Sequence, residues 1–337
     1  MVLWGGGAVD WKRGYGGDAG EIKTVDFTEE YMNTLTVTSD VKGTIRQLHF
    51  NLWDSARNDL HFLDIGILCK NDKCNLTIHL PDCGQKLELE DLSSKFIDNV
   101  PNAIFNTPVD SEEKNRIRIF KIENNLRFIL SPFDTNASVN PNKIGEINIA
   151  IEKQLNPQNV PVADYRYYRF RIKNFDLTKV IIEVDSNSKS FESSFSSCKV
   201  IDFRVNDSKL LPVIESQKII LSADVFEKIH FLYMTDVNED IQLTGGNYTT
   251  RFLERDIWDD YLNLGKKERF DMIAYHLRQE KSFSANFLIK CTYSKTSKWH
   301  LVAYAVIVIA LAIVANFLCW LFPRWLFPLL KNIFIKG

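Results

Sequence analysis

The chain has 337 residues, 25% of them charged and 45% hydrophobic, with a formal net charge of −2. That length suffices for one large domain or two ordinary ones, and the near-neutral balance excludes a global pull toward nucleic acid, so any such binding needs a local patch. Six cysteines (69, 74, 83, 198, 291 and 319) form no regular framework, and one lies within an apolar run, which fits a reducing compartment.

Residues 1–30 stand apart as a Gly/aromatic arm. Seven of the 15 glycines fall in the first twenty positions, among Trp4, Trp11 and Tyr15. The stretch Gly-Tyr-Gly-Gly-Asp-Ala-Gly (14–20) lacks the preceding strand and following helix of a phosphate loop, so it is expected to be a flexible arm with aromatic anchors. The opening residues also lack the apolar core of a signal peptide, and the part ahead of the apolar run is therefore expected in the cytoplasm.

From about residue 33 the hydrophobic period is two rather than 3.6. Leu48, Phe50 and Leu52 alternate with polar neighbours, and Leu63, Ile65, Ile67 and Cys69 read as a strand buried on both faces. Asn71-Asp72 then predicts a hairpin into Cys74, Leu76 and Ile78. Further strand-like runs occur at 116–122, 126–131, 144–151, 165–172, 178–184, 199–205, 210–221, 240–252 and 283–293, the eighth with Gly245-Gly246 at its turn. The Pro- and Asn-rich stretch 154–163 marks a boundary. The expectation is a mainly β soluble part of two sandwich-like or barrel-like modules, 31–153 and 164–293. Residues 255–279 add a helical pair, broken at Gly265, with Phe270, Ile273, Ala274 and Leu277 on one face of the second helix.

Cys69, Cys74, His79 and Cys83 have a spacing that invites zinc, but strand parity turns His79 to the opposite face, so a buried thiol pair is expected and no metal. No hydrolase, kinase or nucleotide-binding signature is present, and the reading is of a protein that is not an enzyme and has no cofactor. Glu254, Asp256, Asp259 and Asp260 read as a solvated helix face. Tyr165, Tyr167, Arg169, Arg171 and Lys173 share one face of a strand. Interleaved aromatics and cations supply stacking surfaces and phosphate partners, so these five are the expected site for a nucleotide or single-stranded nucleic acid, set against an exposed strand whose side chains pair with neighbours.

Residues 301–322 contain no charge and are long enough, at about 1.5 Å per residue, to cross a hydrocarbon core of about 30 Å. Trp299, Trp320 and Trp325 are placed to anchor at the interface, and the tail to 337 is apolar and basic. Lys290, Lys295 and Lys298 before the run equal Arg324, Lys331 and Lys336 after it, so charge leaves orientation open. Ala305, Ala312, Asn316 and Cys319 share a helix side, which suits self-association or the lining of a pore. Four sequons, beginning at Asn75, Asn136, Asn206 and Asn247, match what composition alone produces.

A β-rich part followed closely by a membrane segment resembles, in layout, the bacterial antiviral membrane effectors that answer nucleotide signals or nucleic acid. That layout implies a homo-oligomeric inner-membrane protein whose cytoplasmic sensor controls a pore-forming or membrane-disrupting helix. The alternative is a C-terminally anchored scaffold holding a partner at the bilayer.

Overall fold

The computed structural model describes residues 34–80, 86–114, 117–122, 125–140, 145–153, 163–184, 196–210, 225–243, 248–264, 271–294, 298–321 and 324. The arm at 1–30, Cys83, most of the run at 210–221, and Trp325 with the tail beyond it lie outside them. The protein is mainly β, with three sheets, few helices and one long apolar helix near the C-terminus among the described residues.

The main sheet has the spatial order β15 (Tyr248–Phe252), β16 (Met272–Ser282), β13 (Phe226–Asp236), β2 (Ile45–Ser55), β3 (Leu60–Lys70), β10 (Tyr165–Ile172), β8 (Leu126–Leu130), β7 (Ile117–Ile122) and β6 (Asp110–Lys114). A tenth strand, β5 (Leu89–Asp91), pairs with the C-terminal half of β10. Two smaller sheets face it. One is β1 (Thr36–Ser39), β4 (Cys74–His79) and β9 (Glu146–Ile151). The other runs β11 (Ile181–Val184), β12 (Ser196–Val205), β17 (Ala285–Ser294) and β14 (Glu239–Leu243). A bridge between Leu35 and Val205 joins the two.

Period-two alternation explains this layering. Phe50, Ile65, Phe170 and Phe231 send their side chains into one core with Ile78 and Ile149 of the first small sheet and Phe203 and Ile289 of the second. Each such side chain contributes about 1.5–3 kcal/mol when fully buried. The intervening residues of the main sheet project the other way, into a second core. There they meet α1 (Val100–Phe105) and α3 (Arg255–Leu262), with Phe96, Phe120 and Phe128 alongside. The single turn α2 (Thr135–Ser138) lies before β9. Both faces of the central strands are therefore covered. Helix α3 buries Trp258, Tyr261 and Leu262 and stops where Asn263 turns left-handed at φ 57°. Asp256 and Asp260 stay exposed, and Asp259 holds Arg255 across one turn, as a solvated acidic face requires.

Four expectations are corrected. The main sheet runs straight across the expected boundary at 154–163: β13 lies parallel to β2 over Lys228–Thr235, and β10 lies antiparallel to β3 over all eight of its residues. The two-module division is thus not how the strands are shared. The second helix of the 255–279 pair is instead β16, which pairs with β13 and β15. Its residues Ala274 and Leu277 belong to different cores, so apolar positions from both faces imitate a helical spacing. The Asn71-Asp72 hairpin is a corner between sheets, with β3 in the main sheet and β4 in the three-stranded one. Asn71 holds this corner, its backbone N–H donating to Asp164 O at 3.0 Å and its side-chain amide to Ala163 O at 3.1 Å. Finally, β14 and β15, read as one hairpin, lie in different sheets.

Helix α4 (Lys298–Leu321) is the long apolar one. Val302–Leu321 has a mean hydropathy of 2.6 over its best window, with none of that window buried against the rest of the chain. Its length and composition suffice for a bilayer span.

Candidate functional site

The expected ligand strand is β10, and burial overturns its reading as an exposed surface. Tyr167 and Arg169 are 0% exposed and Arg171 is 4% exposed. Tyr165 is half-buried, and Lys173, at the strand's end, reaches solvent and pairs with Glu90 at 3.3 Å. The parity was read correctly, since 165, 167, 169 and 171 share a face. That face, however, is roofed by α3 and α1, because β10 is an interior strand with β3 on one side and β8 and β5 on the other. No nucleic-acid base can stack there.

What those side chains build is a buried polar network centred on Asp64 of β3, itself 0% exposed. Arg171 donates to it through Nε at 2.7 Å and Nη2 at 3.2 Å, Tyr261 of α3 through its hydroxyl at 2.8 Å, and Trp53 through Nε1 at 3.0 Å. Arg169 donates Nε to the Tyr261 hydroxyl at 2.7 Å and Nη1 to the Tyr167 hydroxyl at 3.3 Å. Burial opposes the charge on both arginines, but Asp64 and the two phenol oxygens hold them protonated. Asp64 therefore faces two guanidinium groups, and Glu90, opposite Arg171 in register, is itself held by Lys95 and Lys173, so the neighbourhood carries surplus positive charge. Gly66, opposite Arg169 in register, makes room: a Cβ there would sit 2.8 Å from Tyr167 Cζ and closer still to its hydroxyl.

The network continues into three histidines, at 49, 230 and 276. Parallel pairing of β2 with β13 puts His49 opposite His230, with ring centroids 4.6 Å apart. His276 of β16 stacks on His230 and bonds to it, Nε2 to Nδ1, at 2.9 Å. Burial, with the charges of Arg278 and Lys228, pushes His276 down to about 4, and burial pushes His49 and His230 well below the usual imidazole range. All three rings are thus neutral at pH 7, and their tautomers follow from their partners. Asn106 donates Nδ2 to His276 Nδ1 at 3.2 Å, so His276 donates through Nε2 and His230 keeps its own proton on Nε2. Tyr167 receives Arg169 and donates to His49 Nδ1 at 2.9 Å, leaving the His49 proton on Nε2 as well. Neither Nε2–H has a hydrogen-bond partner, and the buried Arg169 Nη2 and Trp258 Nε1 also lack one. With the equally unpartnered Asn51 side-chain amide, two residues from His49 on the same strand, these groups mark an unusual site.

A cavity of about 50 Å³ opens beside the histidines, lined by Arg46, Lys228, His230, His276, Arg278 and Asn106 among others, with Phe105 as an apolar wall. A larger cleft, about 550 Å³, lies near the opposite end of β2. At that cleft Lys199 of β12 joins Asp54 at 2.6 Å to Glu239 at 2.8 Å, Tyr233 donates to Asp54 at 2.8 Å, and Cys291 faces Glu239 at 3.0 Å. Burial would lower the Lys199 ammonium, yet the two carboxylates hold it above its ordinary value, so it is no nucleophile. Burial likewise raises the Cys69 and Cys291 thiols. Cys69 and Cys74 are buried free thiols.

Ala305, Ala312, Asn316 and Cys319 all lie on α4, and Cys319 is exposed. Trp299 lies in its first turn, and Trp320 is exposed, with Phe317 stacked at 6.1 Å and Arg324 over its ring at 4.9 Å. The histidine face and the Asp64 hub were missed because their members are spread from residue 49 to residue 276. The one available signal was a set of polar residues, Gln47, His49 and Asn51, on strand positions between apolar ones.

The chain matches no protein-family model and no curated protein.

Proposed function

We propose that the protein is a membrane-anchored, oligomeric effector, in which the β-rich body receives a signal in the cytoplasm and α4 associates with its copies to open or disrupt an inner membrane. The observation that carries this reading is the short join between body and helix. β17 is an interior strand, held by β12 over ten residue pairs and by β14 on its other edge, and it ends at Ser294. Helix α4 begins at Lys298, with three residues between them. So short a connection leaves the helix little independence from the sheet that carries it.

Ala305, Ala312, Asn316 and Cys319 fall within about 60° of one another on a helix turning 3.6 residues per turn. Small residues permit close approach, and the Asn316 amide can bond across the contact for roughly 0.6–2 kcal/mol. The test is reconstitution of the full chain in liposomes, with cross-linking at Cys319 and release of a trapped dye. Cross-linked oligomers and leakage, both reduced about 3- to 30-fold by Asn316→Leu, support the effector. Stable insertion of a monomer in tight vesicles leaves the helix as an anchor only.

A further inference from the structure

We propose that the cavity beside His230 and His276 binds a phosphate group, either as free phosphate or as the phosphate of a nucleotide. Its role as the effector's signal rests on the function proposed above, whereas binding itself is measurable without any membrane event.

Three features argue for an anion of this kind. First, the cavity lining includes three cations, Arg46, Lys228 and Arg278, against two carboxylates, Glu227 in the lining, which holds Arg46 at 2.5 Å, and Glu280 beside it, which holds Arg278 at 3.1 Å and lies opposite Lys228 in register, so the cations exceed the carboxylates by one. Second, the polar side chain deepest in the lining, His230 at 3% exposed, carries a buried Nε2–H with no acceptor, made a donor by the chain running from Asn106 through His276. A phosphate dianion is rich in acceptors and complements cations and N–H groups together. Third, the surplus charge of Arg169 and Arg171 over Asp64 lies on the same sheet face, and its positive field favours an anion over a neutral ligand. A lone water needs roughly 10–15 Å³ of such space, so about 50 Å³ admits a group the size of a tetrahedral oxyanion rather than a whole nucleotide. The remainder of any nucleotide would extend outward past Arg278, which is exposed.

The experiment is calorimetric titration of the detergent-solubilised full chain with inorganic phosphate and, separately, with adenosine triphosphate, against a chloride control. Saturable binding of either is expected, with Kd raised tenfold or more by Arg278→Glu and by Lys228→Gln, variants at positions away from the Asp64 network. Equal affinities for the two probes identify free phosphate as sufficient, and much tighter nucleotide binding identifies the phosphate as part of a larger ligand; both support the site. Heats no larger than chloride gives, or affinity unchanged in both variants, would overturn it. Flotation of the same preparations with liposomes separates the two readings. Phosphate binding without insertion would remove the effector and keep the site, and insertion without phosphate binding would do the reverse.

Discussion

Asp64 and Arg171, facing each other across β3 and β10, form a buried two-toothed ion pair, with Nε to Oδ1 at 2.7 Å and Nη2 to Oδ2 at 3.2 Å. Tyr261 and Trp53 fill the remaining acceptor positions, so the pair ties the main sheet to α3. A buried pair of this kind contributes modestly when intact, but loss of one partner strands the other.

Asp64→Asn therefore leaves Arg169 without a carboxylate and Arg171 with only the field of Glu90, in a site 0–4% exposed. We expect a loss of about 3–5 kcal/mol in unfolding free energy. Denaturant titration followed by tryptophan fluorescence reads it directly, because Trp53 and Trp258 are buried at the same place. A change under 1 kcal/mol would mean that the network is solvated.

Gly66→Ala drives a methyl group into the Tyr167 ring and hydroxyl. Overpacking of this type costs about 1–3 kcal/mol. Tyr167→Phe removes the clashing oxygen together with the bonds to Arg169 and His49, so the double variant should be more stable than the sum of the single effects. A double-mutant cycle checks this, and strict additivity would contradict the contact.

His276 gives the stability a pH dependence of defined sign. Its folded value, about 4, lies below the ordinary 6.5, so protons bind the unfolded chain first as pH falls. Stability from this group is complete above about pH 6.5 and declines below it, until the folded ring also titrates near 4. At pH 5 the loss is about 2 kcal/mol. His276→Gln should remove that share of the decline between pH 7.5 and 5; an unchanged slope would place the effect elsewhere.

Strand parity along 47–70 and 165–172 was legible because alternation is a property of neighbours in the chain, and beyond the bulge at Ile45–Gln47 the side chains do divide as alternation requires between the two cores. The same logic failed at 272–279, where β16 presents apolar residues to both faces and so loses its period-two signature, while Gly265 and Phe270 lie outside the described residues. It failed functionally at Arg169 and Arg171. Charge pattern alone resembles an open binding surface, and nothing local reveals that α3, some ninety residues on, covers them.

The amino-acid sequence by itself determined the β-rich character and the uncharged run 301–322, most of which lies in the helix Lys298–Leu321, since both follow from side-chain periodicity and length measured along the chain. Tertiary structure alone decided which strands became neighbours. The parallel pairing of β2 with β13 joins residues about 180 positions apart, setting His49 beside His230, while β16 adds His276. Those neighbours are chosen by burial of two apolar faces summed over the whole sheet, a collective quantity that no window of sequence contains.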